Sequence, residues 1–257
     1  MNILMLGDVV GQGGCEAIRE HLPGIKRHYA ADIVIINGEN SAQGNGILPA
    51  SAKHLFDSGA NVITTGNHVF RRREIYEVLD RQEGIIRPAN FSPETPGTGV
   101  YVVDMLRCRI AVVNLMGTAG MEPLANPFDT IDRILKTLDT PNIILDFHAE
   151  TTSEKRAMGF YLDGRISLFA GTHTHVQTAD DQILPNGTGY ITDLGMCGPK
   201  QSVLGVKPEQ VIARFRTAMP TRFENPDGEQ IICGIAVEID EKSGKTKAIE
   251  RIYQTFG

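Results

Sequence analysis

Residues 33–40 read Ile33-Val34-Ile35-Ile36-Asn37-Gly38-Glu39-Asn40, an apolar run of strand character that stops at a glycine, a carboxylate and an amide. The same phrase recurs along the chain. Ile3-Leu4-Met5-Leu6 runs into Gly7-Asp8, and Val62-Ile63 into Gly66-Asn67-His68. Further on, Ile143-Ile144-Leu145 runs into Phe147-His148, and Ile166-Ser167-Leu168-Phe169 into Gly171-Thr172-His173-Thr174-His175. Each time a short strand ends in residue types that bind metals. In an open α/β sheet the ligand crevice lies beyond the carboxyl ends of the strands. The five pieces are therefore expected to meet there, although they are far apart in sequence.

Between these runs lie amphipathic stretches. A Gly-rich turn, Gly11-Gln12-Gly13-Gly14, precedes a helix over about Cys15–His28. Further helices are expected around Ser51–Ser58 and Arg71–Gln82. This βαβαβα order predicts a parallel core sheet with right-handed crossovers. From residue 84 to 115 the rhythm breaks, and Val100–Asp104 with Arg109–Asn114 read as a β-hairpin. Alternation returns with helices near Phe128–Leu138 and Ser153–Leu162 around the Ile143–Leu145 strand. The segment Asp180–Pro199 is rich in Gly and Pro, with a strand near Tyr190–Thr192. A helix over Pro208–Ala218 and two strands, Ile231–Ile239 and Ala248–Thr255, close the chain. No repeat, low-complexity segment or clear linker interrupts residues 1–257, so a single domain is expected.

Composition narrows the function classes. The 257 residues are 41% hydrophobic and 22% charged, ordinary for a soluble globular protein. A formal charge of −6 argues against a stable nucleic-acid complex but not against a small anionic substrate, since metal ions invert charge locally. Cys15, Cys108, Cys197 and Cys233 form no CxxC and suit reduced thiols in the cytoplasm. The amino-terminal apolar run has no basic flank or cleavage site, and no run is long enough for a membrane span.

The residues themselves suggest hydrolytic metal chemistry. Carboxylates such as Asp8 and Glu39 bind hard divalent ions, and one carboxylate can bridge two ions. The Asn67 amide suits manganese or ferrous iron better than structural zinc. His68 is a candidate metal ligand, general acid or helix cap. In an extended segment residues i and i+2 share a face, so His173 and His175 could each address an ion.

The order of these motifs resembles the calcineurin-like metallophosphoesterase superfamily, whose usual pattern runs D-x-H, G-D, G-N-H-[DE], H, G-H-x-H. Three positions depart from it. Val10 stands where the first histidine is expected, Glu39 replaces the bridging aspartate, and Val69 replaces the acid after Asn67-His68. The strings GDVVG, NGENSAQGNG, TTGNHVF and AGTHTHVQTAD, with Thr192-Asp193-Leu194-Gly195-Met196-Cys197-Gly198-Pro199, are similar to the narrower YmdB-type bacterial phosphodiesterases. The resemblance implies an α/β fold, a two-sheet αββα sandwich of mixed sheets with a parallel core. It implies two iron or manganese ions bridged by Glu39. Asp8, Asn40 and His175 would complete one ion's ligands, and Asn67, His148 and His173 the other's. It also implies hydrolysis of 2′,3′-cyclic nucleotides to 3′-nucleotides. A water held between the ions would attack phosphorus, and His68 would protonate the leaving oxygen.

Other features are weighed beside these. Loop 41–46 is either an anion-binding turn or a plain connection. Arg71-Arg72-Arg73 reads as a solvated face, and His21, His28 and His54 as surface or packing residues. Asn114 and Asp146 are candidates to support the ligands, Asp146 by orienting His148. A regulatory metal-binding protein, or a phosphoprotein phosphatase or nucleotidase on the same scaffold, are the alternative functions. Strands of the hairpin or tail leave room for a homo-oligomer.

Overall fold

The computed structural model describes residues 1–257. Strands β1 (Asn2–Leu6) and β2 (Asp8–Val9) lead into helix α1 (Gly11–His28), followed by β3 (Ile33–Asn37), α2 (Pro49–Asp57) and β4 (Val62–Thr64). A 3₁₀ turn at Arg73–Ile75 runs into the short α3 (Tyr76–Asp80), then β5 (Val100–Asp104) and β6 (Arg109–Met116). Next come α4 (Pro127–Leu135), β7 (Ile143–His148), α5 (Thr152–Leu162) and β8 (Leu168–Thr172). The chain ends with β9 (Gln182–Ile183), β10 (Gly189–Ile191), β11 (Met196–Pro199), α6 (Pro208–Thr217), β12 (Gln230–Ile239) and β13 (Thr246–Phe256).

Two mixed sheets form. The first has the order β2-β11-β12-β1-β3-β4, with β13 antiparallel on β12. Its β1, β3 and β4 are parallel, as are β2 and β11. The second has the order β5-β6-β7-β8-β10-β9, parallel from β6 to β10 with antiparallel edges.

Side-chain alternation along each strand builds the layers. Ile3, Met5, Ile33 and Ile35 point inward onto Val112, Ile144 and Leu168 of the facing sheet. The alternate residues Leu4, Leu6, Val34 and Ile36 point outward onto α1 and α2. On the second sheet Val113, Leu145 and Phe169 pack outward with residues of α4 and α5. The order is helix, sheet, sheet, helix, as the resemblance implies. Each fully buried Leu, Ile or Val contributes about 1.5–3 kcal/mol, so apolar burial holds the strands and leaves polar side chains to their ends.

Three local expectations change. The glycines of 11–14 are the first turn of α1, not a loop before it. A side chain at Gly14 would lie 2.3 Å from the Cys197 carbonyl, so this glycine lets the helix approach β11. The helix expected over Arg71–Gln82 shrinks to Tyr76–Asp80: Ile75 and Leu79 are the fully buried residues of the stretch, and Asp80 accepts a hydrogen bond from the Gly97 amide. The Gly- and Pro-rich segment before residue 199 contains β11, which pairs with both β2 and β12.

Candidate metal centre

All eight singled-out residues meet at one end of the sandwich. Asp8 follows β1, Glu39 and Asn40 follow β3, and Asn67 and His68 follow β4. From the second sheet, His148 ends β7, and His173 and His175 follow β8. Glu39 is central. Its Oε1 lies 3.2 Å from His148 Nε2 and 3.2 Å from Asn40 Nδ2, and its Oε2 accepts from the His68 amide at 3.0 Å. On one side, His148 Nε2 is 3.1 Å from Asn67 Oδ1 and 3.1 Å from His173 Nδ1. On the other, His175 Nε2 is 3.2 Å from Asn40 Nδ2 and 3.7 Å from Asp8 Oδ1.

The backbone route to this geometry differs from the expected one. His173 and His175 do not lie in an extended segment: their φ angles are +100° and +63°. The left-handed turns send the two rings to opposite sides of Glu39, towards His148 and towards Asp8. Gly66 is needed for space. A Cβ there would sit 2.3 Å from His148 Nε2 and 2.5 Å from Glu39 Oε2, filling the cradle between them.

The cluster fits a cation. Asp8, Glu39 and His148 are fully buried, and Asp8 Oδ1 has no hydrogen-bond partner. Ligand atoms of Glu39, His148 and His173 all lie within 4.8 Å of one another. Three lone-pair atoms, from Glu39, Asn67 and His173, crowd on His148 Nε2, and a single proton there can serve one of them. Burial alone would raise the Asp8 carboxyl, but the His175 and His148 rings outweigh it and hold it well below the carboxylate range. Glu39 is likewise lowered against burial, chiefly by His148. Burial lowers His148, yet Glu39 and Asp8 push it up to about 9. Two buried carboxylates thus call for positive charge, and metal ligation would displace the proton on His148. Burial lowers His68, partly offset by Glu39.

Second contacts fix the rings. His148 Nδ1 donates to Thr172 Oγ1 at 2.9 Å, and that hydroxyl donates to Asp146 Oδ1 at 2.6 Å. This leaves His148 Nε2 unprotonated toward the cluster when a cation is bound. Asp146 supports His148 as expected, but through Thr172. Its other oxygen accepts from Asn37 and Thr64, and burial raises its carboxyl to about 6. Asn114 supports backbone instead, accepting from the Thr65 amide at 3.1 Å. Sequence reasoning missed Thr172 and Lys155. Lys155 is fully buried and donates to Asp193 Oδ2 at 2.7 Å, and the same oxygen accepts the Thr174 amide between the two histidines. A helical lysine at an apolar helix face was the available signal.

The departures have clear surroundings. Val10 packs in an apolar cluster with Met196, Ile231 and Cys233, and Val69 in the core beneath α1 and α2. In loop 41–46 the amides of Ser41, Ala42 and Asn45 bond within the loop or to Gly38. Arg71 and Arg73 are exposed, and Arg72 bonds to the Asn45 carbonyl. His21 stacks on Phe256, His28 packs against Tyr29, and His54 meets the Cys15 carbonyl.

Two facing mixed sheets with a polar cluster at their strand ends share their fold with a putative 5′-nucleotidase from Staphylococcus aureus, which superposes with a TM-score of 0.59 at 14% identity, covering 98% of this chain and 54% of that one. The chain belongs to the YmdB-like protein family, whose model matches residues 4–252. It is 45% identical to the 2′,3′-cyclic-nucleotide 2′-phosphodiesterase of Bacillus subtilis over 98% of this chain and 96% of that one. Among solved structures, a hypothetical protein from Thermus thermophilus superposes with a TM-score of 0.94 at 38% identity, covering 99% of both chains. A novel phosphatase from Mycoplasma pneumoniae gives 0.94 at 36% identity, covering 99% of this chain and 93% of that one. No helix is long and apolar enough to cross a membrane.

Proposed function

We propose that this chain is a phosphodiesterase that opens 2′,3′-cyclic nucleotides at the 2′ oxygen, yielding 3′-nucleotides, with two divalent metal ions as cofactors. The observation that carries the reading is the buried Asp8–Glu39–His148 cluster, two carboxylates and an imidazole drawn together with an Asp8 oxygen that accepts no hydrogen bond. The identity to the B. subtilis phosphodiesterase supports the choice of substrate. Glu39 would serve both ions. Asp8, Asn40 and His175 would complete one set of ligands, and Asn67, His148 and His173 the other. Mixed nitrogen and oxygen donors suit iron or manganese. Such ions supply Lewis acidity toward phosphoryl oxygens and acidify water.

The remaining work falls to side chains. His68 Nδ1 lies 2.7 Å from the Asn40 side-chain amide, so Nε2 is the ring nitrogen left for substrate. From there it donates a proton to the departing 2′ oxygen, a role typically contributing about 10²–10⁴-fold. Asn67 and His173 border an open mouth of about 380 Å³ with Gly120, Met121 and Glu122, which suits a single nucleotide.

The test is turnover after reconstitution with manganese or iron. The panel holds 2′,3′-cyclic nucleotides, linear diesters and monoesters. Fastest turnover of the cyclic esters to 3′-nucleotides is expected. Faster monoester cleavage would favour a phosphatase, and full metal with no turnover would favour a regulatory metal-binding protein.

A further inference from the structure

A second cavity, of about 830 Å³, lies where the loop before β5 meets α4 and the segment after β6. It shares no lining residue with the metal centre. Small-molecule sites commonly occupy about 300–1,000 Å³. Its charge is unusual for this chain. The sequence has 31 acidic and 25 basic residues, yet the cavity is lined by two arginines and no carboxylate.

Arg87 is 5% exposed and Arg133 is exposed; neither has a carboxylate within ion-pair distance. Arg87 directs Nε to the Pro96 carbonyl, Nη1 to Pro88 and Nη2 to Ser92, at 3.4, 2.9 and 3.5 Å. Each Nη keeps a second N–H without a protein acceptor. Arg133 bonds only to Thr130 Oγ1, at 3.0 Å. A buried guanidinium without a counterion is costly, so an anion in this cavity would relieve it. Paired N–H forks match phosphate oxygens. Phe91, Leu124 and Ile134 supply an apolar wall for an organic body. The far side of one wall is functional ground: Gly120–Glu122 border the catalytic mouth, and the next three residues, Pro123–Ala125, line this cavity.

We propose that this cavity is a second ligand site that takes a small organic phosphate of nucleotide size, held by Arg87 and Arg133. The chain contains no tryptophan, so Leu124→Trp puts a single fluorophore in the wall of this cavity. Metal-loaded Leu124→Trp protein is titrated with adenosine 5′-monophosphate and with adenosine. Ile134→Trp is the second reporter in case the first misfolds. The expected result is a saturable emission change with the monophosphate. Adding Arg133→Glu should weaken it at least tenfold, and adenosine should bind at least tenfold more weakly. Arg133→Glu alone should leave hydrolysis of the cyclic nucleotide unchanged. No saturable change in either reporter, an equal response to adenosine, or indifference to Arg133→Glu would each overturn the proposal.

Discussion

Replacing Gly66 by alanine probes the proposed centre at its tightest point. The added methyl group would lie 2.2 Å from His148 Cδ2, 2.3 Å from His148 Nε2 and 2.5 Å from Glu39 Oε2. Ordinary contact begins at 3.4 Å, so the imidazole and the carboxylate must each retreat by about 1 Å in a close-packed interior. Neither is free to do so. Thr172 holds His148 at Nδ1, and the His68 amide holds Glu39 at Oε2. Overpacking of this kind costs about 1–3 kcal/mol. At this chain length each kcal/mol lowers Tm by roughly 2–4 °C. Metal binding should suffer more than stability. Disturbing only the partners of a ligand typically costs about 10–100-fold in affinity, and here two proposed ligands are displaced directly, so a loss of about 100-fold or more is expected. The assay is manganese content by elemental analysis after dialysis, with thermal melts on the same sample. A Gly66→Ala protein that keeps wild-type metal affinity would refute the placement of an ion between Glu39 and His148.

Three further outcomes are expected. Glu39→Ala should lose most bound metal, whereas His68→Ala should keep its metal and lose about 10²–10⁴-fold in turnover; equal metal loss in both would make His68 a ligand. Thr172→Val keeps the shape but cuts the link from Asp146 to His148, and should weaken metal binding about 10–100-fold by competition with a chelator; unchanged affinity would mean packing alone orients the ring. Lys155→Met leaves Asp193 buried without its cation and should cost about 3–5 kcal/mol in urea unfolding; a loss below about 1 kcal/mol would mean the amides of Thr174 and Gly195 suffice for Asp193.

The strands that carry the site were legible because apolar runs and abrupt polar ends are local signals. Ile33–Ile36 and Ile143–Leu145 needed no tertiary information to be read as buried strands. What failed were features set by partners far away. Met196–Pro199 carries Gly198 and Pro199 and has little strand character of its own; it is a strand because Asp8–Val9 and Gln230–Ile232 flank it. The glycines at 11–14 signalled a turn, yet they open the helix, and Gly14 lets it approach that same strand. The two histidines of Gly171–His175 were read to the right place by the wrong geometry. Extended alternation would put both rings on one face, whereas the left-handed φ angles separate them. From outside the loop, Asp8 accepts the His173 amide and Asp193 the Thr174 amide, and Lys155 in turn holds Asp193.

In the proposed ligand set Asn40 would fill the place that Val10 leaves without a histidine. Val10 and Val69 each lie in an apolar cluster, where an ionised side chain would be costly without a partner. In the superfamily pattern the two positions carry a histidine and an acid. Here one amide stands where both tasks meet. Asn40 Nδ2 is 3.2 Å from Glu39 Oε1 and from His175 Nε2, and Asn40 Oδ1 is 2.7 Å from His68 Nδ1. An amide binds a hard cation through oxygen. With its oxygen turned toward Glu39 and His175, the amide would present its N–H to His68 Nδ1 instead. That nitrogen must then accept, and a neutral ring carries its proton on Nε2, the atom assigned to the leaving oxygen. The neutral amide can take either orientation, which a carboxylate or an imidazole at this position could not do with the same partners.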